Sequence, residues 1–140
     1  MNSDRTMKLE WLSRGKAVRL KLIGLYAERQ ERLSRAEYAG IHYGERTGHS
    51  SGNSTESKIA AIAEVDAEIA VADAELKRIE DEIRLAIDQV RTPIYQTYLR
   101  MRFLGYKTEP QIAKETGYSI EHIKKHIKRR AVDAVKVDPI

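Results

Sequence analysis

"KTEPQIAKETGYSIEHIKKHIKRR", residues 107–130, contains two short helical patterns hinged at Gly117. Thr108 stands three residues before Gln111, the spacing of a reciprocal helix cap. Pro110 is still in the first turn, where a missing N–H costs nothing. This first pattern holds Ile112 and Ala113 and stops at Gly117; Ser119 then caps a second, "IEHIKKHIKRRAVDAV". Each half has its own start signal, so the stretch predicts helix, tight turn, helix. In a helix-turn-helix the two axes cross closely. The motif therefore asks for a small residue within the first helix and one tolerant of a left-handed conformation at the turn. Ala113 and Gly117, four apart, satisfy both demands, and Ile112, Tyr118 and Ile123 fall where its small core needs apolar groups.

Two registers fit the second helix. By the spacing of the motif, Ser119, Ile120, Glu121, Lys124, Lys125 and Lys128 face a DNA major groove, and His126 takes a position that calls for an apolar residue. By the arc of Ile120, Ile123, Ile127 and Ala131, the opposite face carries His122, Lys125 and Arg129, with Glu121 and Lys128 at its edges. Lys125 and Lys128 point outward in both. Lysines neutralise phosphates, whereas base choice needs directed donors and acceptors. Glu121 suits a cytosine amino group, and equally the positive end of a helix dipole. Taken alone, the run Lys124 to Arg130 reads as a solvated cationic face. Two caps, the Ala–Gly spacing and a preceding helix favour DNA binding instead. The candidate DNA-binding set is Ser119, Glu121, His122, Lys124, Lys125, Lys128 and Arg129, with Ala113 and Gly117 forming the structural turn of the motif.

Upstream, "RTPIYQ" breaks one helix and starts another, with Thr92 as cap and Pro93 at the first position. This helix is apolar nearly all round (Ile94, Tyr95, Tyr98, Leu99, Phe103, Leu104) and ends at Gly105. Residues 55–91 carry the clearest period. Ile62, Ile69, Leu76, Ile83 and Val90 recur every seven residues, with Val65, Ala72, Ile79 and Ala86 three residues on. That is the seam of a coiled coil. Residues 7–38 predict a further helix with a stripe of Val18, Leu22 and Leu25, Trp11 a heptad earlier, broadened by Ile23 and Tyr26. Gly15 and Gly24 weaken that helix locally. Between the two long helices, residues 39–54 hold four of the eight glycines and read as a mobile loop. An all-α fold follows: a long antiparallel hairpin over residues 1–91, then a helix-turn-helix domain over 92–140.

Net charge is +4 overall, but residues 1–54 carry +4, 55–91 carry −5 and 94–140 carry +5. Nucleic acid, if bound, meets the C-terminal third. Zero cysteines exclude a disulfide framework, thiolate metal sites and a thiol nucleophile. There is no apolar run approaching a membrane span, and "MNSDRTMKLEWL" lacks the core of a signal peptide, so no membrane partner and a cytoplasmic location are expected. The loop lacks the spacing of a phosphate-binding lysine motif. His122 and His126 have a chelating spacing without a third ligand, and His42 and His49 suggest nothing specific. No nucleophile–base pair or carboxylate dyad stands out, so neither an enzyme nor a cofactor is expected.

"YLRMRFLGYKTEPQIAKETGYSIEHIKKHIKRRAV" resembles region 4 of sigma-70-type factors, in which an arginine-bearing helix and glycine turn lead into an "IA…G-x-S" helix-turn-helix. The whole layout resembles phage late-gene transcriptional regulators of the ArpU/RinA type, and "SSGNSTESKIAAIAEVDAEI" looks like the junction before their acidic helix. The resemblance covers about residues 50–135. It implies a sequence-specific activator that binds double-stranded DNA near a promoter in the cytoplasm of a bacterial host. Promoter reading then falls on Ser119, Glu121, Lys124, Lys125 and Lys128. The hairpin would serve homo-oligomerisation or contact with host RNA polymerase. No other sigma regions are present, so the chain is not a complete sigma factor. Two alternatives stand beside this one: a DNA-packaging protein like the small subunit of a phage terminase, and a coiled-coil interaction protein that never touches DNA.

Overall fold

The computed structural model describes the backbone of residues 2–44 and 51–137, with side chains placed over 3–37 and 56–137. Among these residues the chain is all-helical. Helix α1 runs in two segments, Asn2–Leu12 and Arg14–Gly44, bent at Ser13; α2 spans Ser51–Asp88. Helix α3 spans Pro93–Leu99 and continues through a π-helical turn, Arg100–Leu104. Helix α4 spans Glu109–Thr116. Helix α5 comprises Ile120–His122, a π-helical turn over Ile123–Ile127, and Lys128–Ala134. No described helix is long and apolar enough to cross a membrane.

The expected loop at 39–54 is shorter than its composition suggested. Helix α1 continues to Gly44 and α2 begins at Ser51, because extending an existing helix adds a hydrogen bond per residue and outweighs isolated glycines. The remainder of that loop, residues 45–50, lies outside the described residues, as do residues 138–140.

The chain divides into two compact units at neither end of the expected hairpin. One is Val18–Glu75, an antiparallel helical hairpin. Val18, Leu22 and Leu25 of α1 are buried with Val65, Ile69 and Ala72 of α2, as the heptad spacing required. Each large aliphatic side chain buried in such a seam contributes about 1.5–3 kcal/mol. Arg29 pairs with Asp66 and Arg32 donates to the Ala61 carbonyl, so the partners descend along α2 as they ascend along α1. Ile23 and Tyr26, expected to widen the stripe, are exposed. A single partner helix covers one narrow stripe only.

The other unit joins residues 1–17 to 76–140. The expected boundary at residue 91 is crossed because the ends of the long helices share a core with the C-terminal ones. Leu12, Ile79, Ile83 and Ile87 are buried, as are Tyr98, Leu99, Phe103, Ile123, Ile127 and Val132. Ile87, outside the predicted seam, is covered where the amide of Gln96 donates to the carbonyls of Ile87 and Val90 and so finishes α2. Arg5 of α1 forms a two-pronged pair with Asp133 of α5, at 2.9 and 2.7 Å. Arg14 lies 4.7 Å over the Trp11 ring and pairs with Glu82 at 2.8 Å.

The bend at Ser13 follows from small residues. The N–H of Lys16 reaches the Ser13 carbonyl at 3.1 Å in a tightened turn, and Gly15 is buried two residues on. A Cβ at Gly15 would stand 2.6 Å from the hydroxyl of Tyr106, which donates to Glu80. The glycine that weakened the helical pattern is therefore the place where another side chain crosses it. Two further expectations shift. Thr92 has cap geometry but makes no side-chain capping bond, leaving Pro93 to start α3. Gly105 is right-handed (φ −87°), and it is Tyr106 that turns left-handed (φ 57°). Gly105 is required for space, since a Cβ there would meet the Met101 carbonyl oxygen at 2.9 Å.

Gly15→Ala should lower the melting temperature more in the native sequence than in a Tyr106→Phe background, where the crowding hydroxyl is gone. The coupling expected is about 1 kcal/mol, as for residues in direct contact. Additive melting shifts in this double-mutant cycle would contradict the crossing.

Candidate nucleic-acid interface

Helix α4 begins as its sequence dictates. The Thr108 hydroxyl accepts from the Gln111 N–H while the Gln111 side chain accepts from the Thr108 N–H, a complete capping box. Ile112 and Ala113 are buried. At Gly117 the backbone is left-handed (φ 84°, ψ −1°), and its N–H closes the helix on the Ala113 carbonyl at 2.9 Å. The Ser119 hydroxyl then accepts from the His122 N–H at 3.0 Å and opens α5. Helix, left-handed turn and capped helix thus stand where residues 107–130 placed them.

The register of α5 follows the helical arc except at Ile120. Ile123, Ile127 and Ala131 are buried, while Ile120 is 41% exposed and His126 lies on the surface. The turn between the two isoleucines is π-helical: the Lys128 N–H reaches back to the Ile123 carbonyl. Positions four apart share a face, so both isoleucines fit inside. Tyr118 departs from the expected core and is exposed, its ring stacked on His122 at 5.5 Å. His122 in turn lies 5.1 Å from His126.

Of the expected DNA-facing residues, Ser119, Glu121, His122, Lys124, Lys125 and Arg129 are exposed on α5 or at its start. The Ser119 hydroxyl is occupied as a cap, and Lys125 pairs with Glu121 at 3.0 Å across one turn, an exposed contact of small energetic weight. Lys128 stands at the edge of the face, its side chain 41% exposed and Nζ 4.0 Å from Glu109 of α4. Arg130, which the register arguments left out, is exposed and borders a shallow hollow with Ile94, Tyr95, Tyr118, His126 and Ile127. Its signal was present in the basic run itself. The exposure of Tyr118 had none, since a tyrosine beside a turn reads equally as core.

The electrostatics favour an anion. Helix α5 carries Lys124, Lys125, Lys128, Arg129 and Arg130 against Glu121 and Asp133. The Arg5 guanidinium, hydrogen-bonded to Asp133, holds that carboxyl below the usual carboxylate range, so its charge is answered from α1. Among the described residues no group of three His, Asp or Glu side chains is placed to hold a metal ion.

A Cβ at Gly117 would meet nothing within 4 Å, so the cost of replacing it comes from the backbone alone. Gly117→Val should destabilise the chain by about 1–2 kcal/mol, with Gly117→Asn milder. Thermal unfolding of the two variants checks this, and equal melting temperatures across the set would refute a strained turn.

Comparison with protein-family models, with curated proteins and with solved structures yields no match to this chain, so the reading of the site rests on its own residues.

Proposed function

We propose that this protein is a sequence-specific DNA-binding transcription regulator, a phage late-gene activator that works as a sigma-region-4-like factor at promoters. The observation that carries the reading is the capped helix–Gly117 turn–capped helix with an outward row of bases on its second helix. A helix of this kind enters the major groove by its N-terminal turns. There Glu121 and His122 meet base edges while Lys124, Lys125, Arg129 and Arg130 neutralise phosphates. The exposed Tyr118 ring offers apolar contact at the same end. The sigma-like layout read from residues 98–132 supports the promoter assignment, and the greater exposure of its side chain favours Lys125 over Lys128 as the principal phosphate contact.

Binding of the purified chain to duplex fragments from its own neighbouring genome, with competitor DNA at several salt concentrations, tests this. A discrete competitor-resistant site is expected, and Lys125→Ala should reduce the salt slope by about one, as loss of one phosphate contact does. Lys77→Ala, an exposed lysine of α2, should leave the slope unchanged. Equal slopes for the native chain and Lys125→Ala would place DNA elsewhere.

A further inference from the structure

Within residues 56–75, helix α2 is apolar on two opposite sides. One side is the buried seam of Val65, Ile69 and Ala72. The other is fully exposed: Ile59, Ala63, Ala67, Ala70 and Ala74 follow one another at spacings of three and four, with Val71 beside them. Ile59 is 61% and Val71 70% exposed. Helix α1 has a matching back, on which Leu20 (57% exposed) and Ile23 (52%) stand beside Gly24 and Ala27. Gly24 has no reason within the monomer, since a Cβ there would meet nothing within 4 Å. An exposed helix-interior glycine costs ~1 kcal/mol against alanine.

The two backs differ in shape and charge. That of α2 is mostly alanine, a shallow trough flanked by Glu64, Glu68 and Glu75 on one edge and Asp66 and Asp73 on the other. That of α1 presents the larger Leu20 and Ile23, flanked by Arg19 and Lys21. Residues 56–75 carry six acidic side chains against one lysine. Residues 18–37 carry five basic against three acidic, of which Arg29, Arg32 and Arg35 already pair within the hairpin, so that the positive edges of the α1 back are those of Arg19 and Lys21. Back-to-back pairing of α2 with itself sets acid against acid and small against small, and pairing of α1 with itself sets base against base. Only α1 against α2 joins protruding to shallow and positive to negative.

We infer that the hairpin Val18–Glu75 is an assembly unit, in which the α1 back of one copy of this chain docks on the α2 back of the next. Because the two surfaces are different, the contact is head-to-tail. Each added copy leaves one free face, and growth passes beyond a dimer until the array closes on itself. The inference is independent of DNA binding.

The test is sedimentation of the full-length chain with two exposed-site variants, Leu20→Asp and Ala70→Asp, each checked for unchanged helicity. The native chain should assemble beyond a dimer as concentration rises, and each variant alone should sediment as a monomer. An equimolar mixture of the two variants should give a one-to-one dimer that grows no further, since each supplies the face the other lacks. A native chain that stays monomeric at the highest soluble concentration, or stops at a dimer, would overturn the inference. So would a mixture that remains monomeric.

Discussion

Tyr98 has no exposed surface, yet it carries a hydroxyl, and the C-terminal helices are arranged around satisfying it. The hydroxyl donates to Glu109 at 3.0 Å, at the first position of α4, while Phe103 packs edge-on at 6.4 Å between ring centres. Burial, reinforced by the neighbouring carboxylate, pushes the phenol far above its ordinary value, so it remains a donor. Glu109 also faces Lys128 of α5. The Tyr98–Glu109 bond ties α3 to α4, and the Glu109–Lys128 pair reaches on to α5. Losing one partner of such a bond costs about 1–3 kcal/mol, a large share of a small domain's stability. The pose of α5, and with it the direction of the basic face, rests on these contacts together with the buried Ile123, Ile127, Ala131 and Val132.

The local signals in the sequence were reliable where several residues a few positions apart meet one structural demand together. The Thr108–Gln111 box, the Ser119 cap, the left-handed Gly117 and the buried Ala113 all stand as their chemistry required. The heptad seam of α2 was legible for the same reason, since a repeat of seven must bury one side. Where a residue type has several uses, sequence alone left the outcome open. Gly15 and Gly105 read as weak points or caps, and their use is room for Tyr106 and for a carbonyl. The π turns at Arg100–Leu104 and Ile123–Ile127 have no composition signature. The Tyr98–Glu109 bond joins residues eleven apart through a turn, and no helical period reports it.

Charge separates the molecule by role more sharply than its net value suggests. In the hairpin Arg29 answers Asp66 across the two helices, while Arg32 and Arg35 answer Glu28 and Glu31 one turn away on α1. On α5 the acids are answered too: Asp133 by Arg5 from α1, and Glu121 by Lys125 one turn along the same helix. Lys124, Arg129 and Arg130 are also exposed, and a polyanion would release their counterions. The proposed DNA contact and the proposed assembly contact thus use different helices and different physics, phosphate neutralisation in one and shape with apolar burial in the other.

The most direct measurement of the DNA-binding claim is hydrogen exchange, residue by residue, with and without a bound duplex. The account predicts slowed exchange over residues 117–130, with residues 56–75 unchanged at protein concentrations too low for assembly. Protection that spares residues 117–130 and falls on the hairpin instead would contradict it.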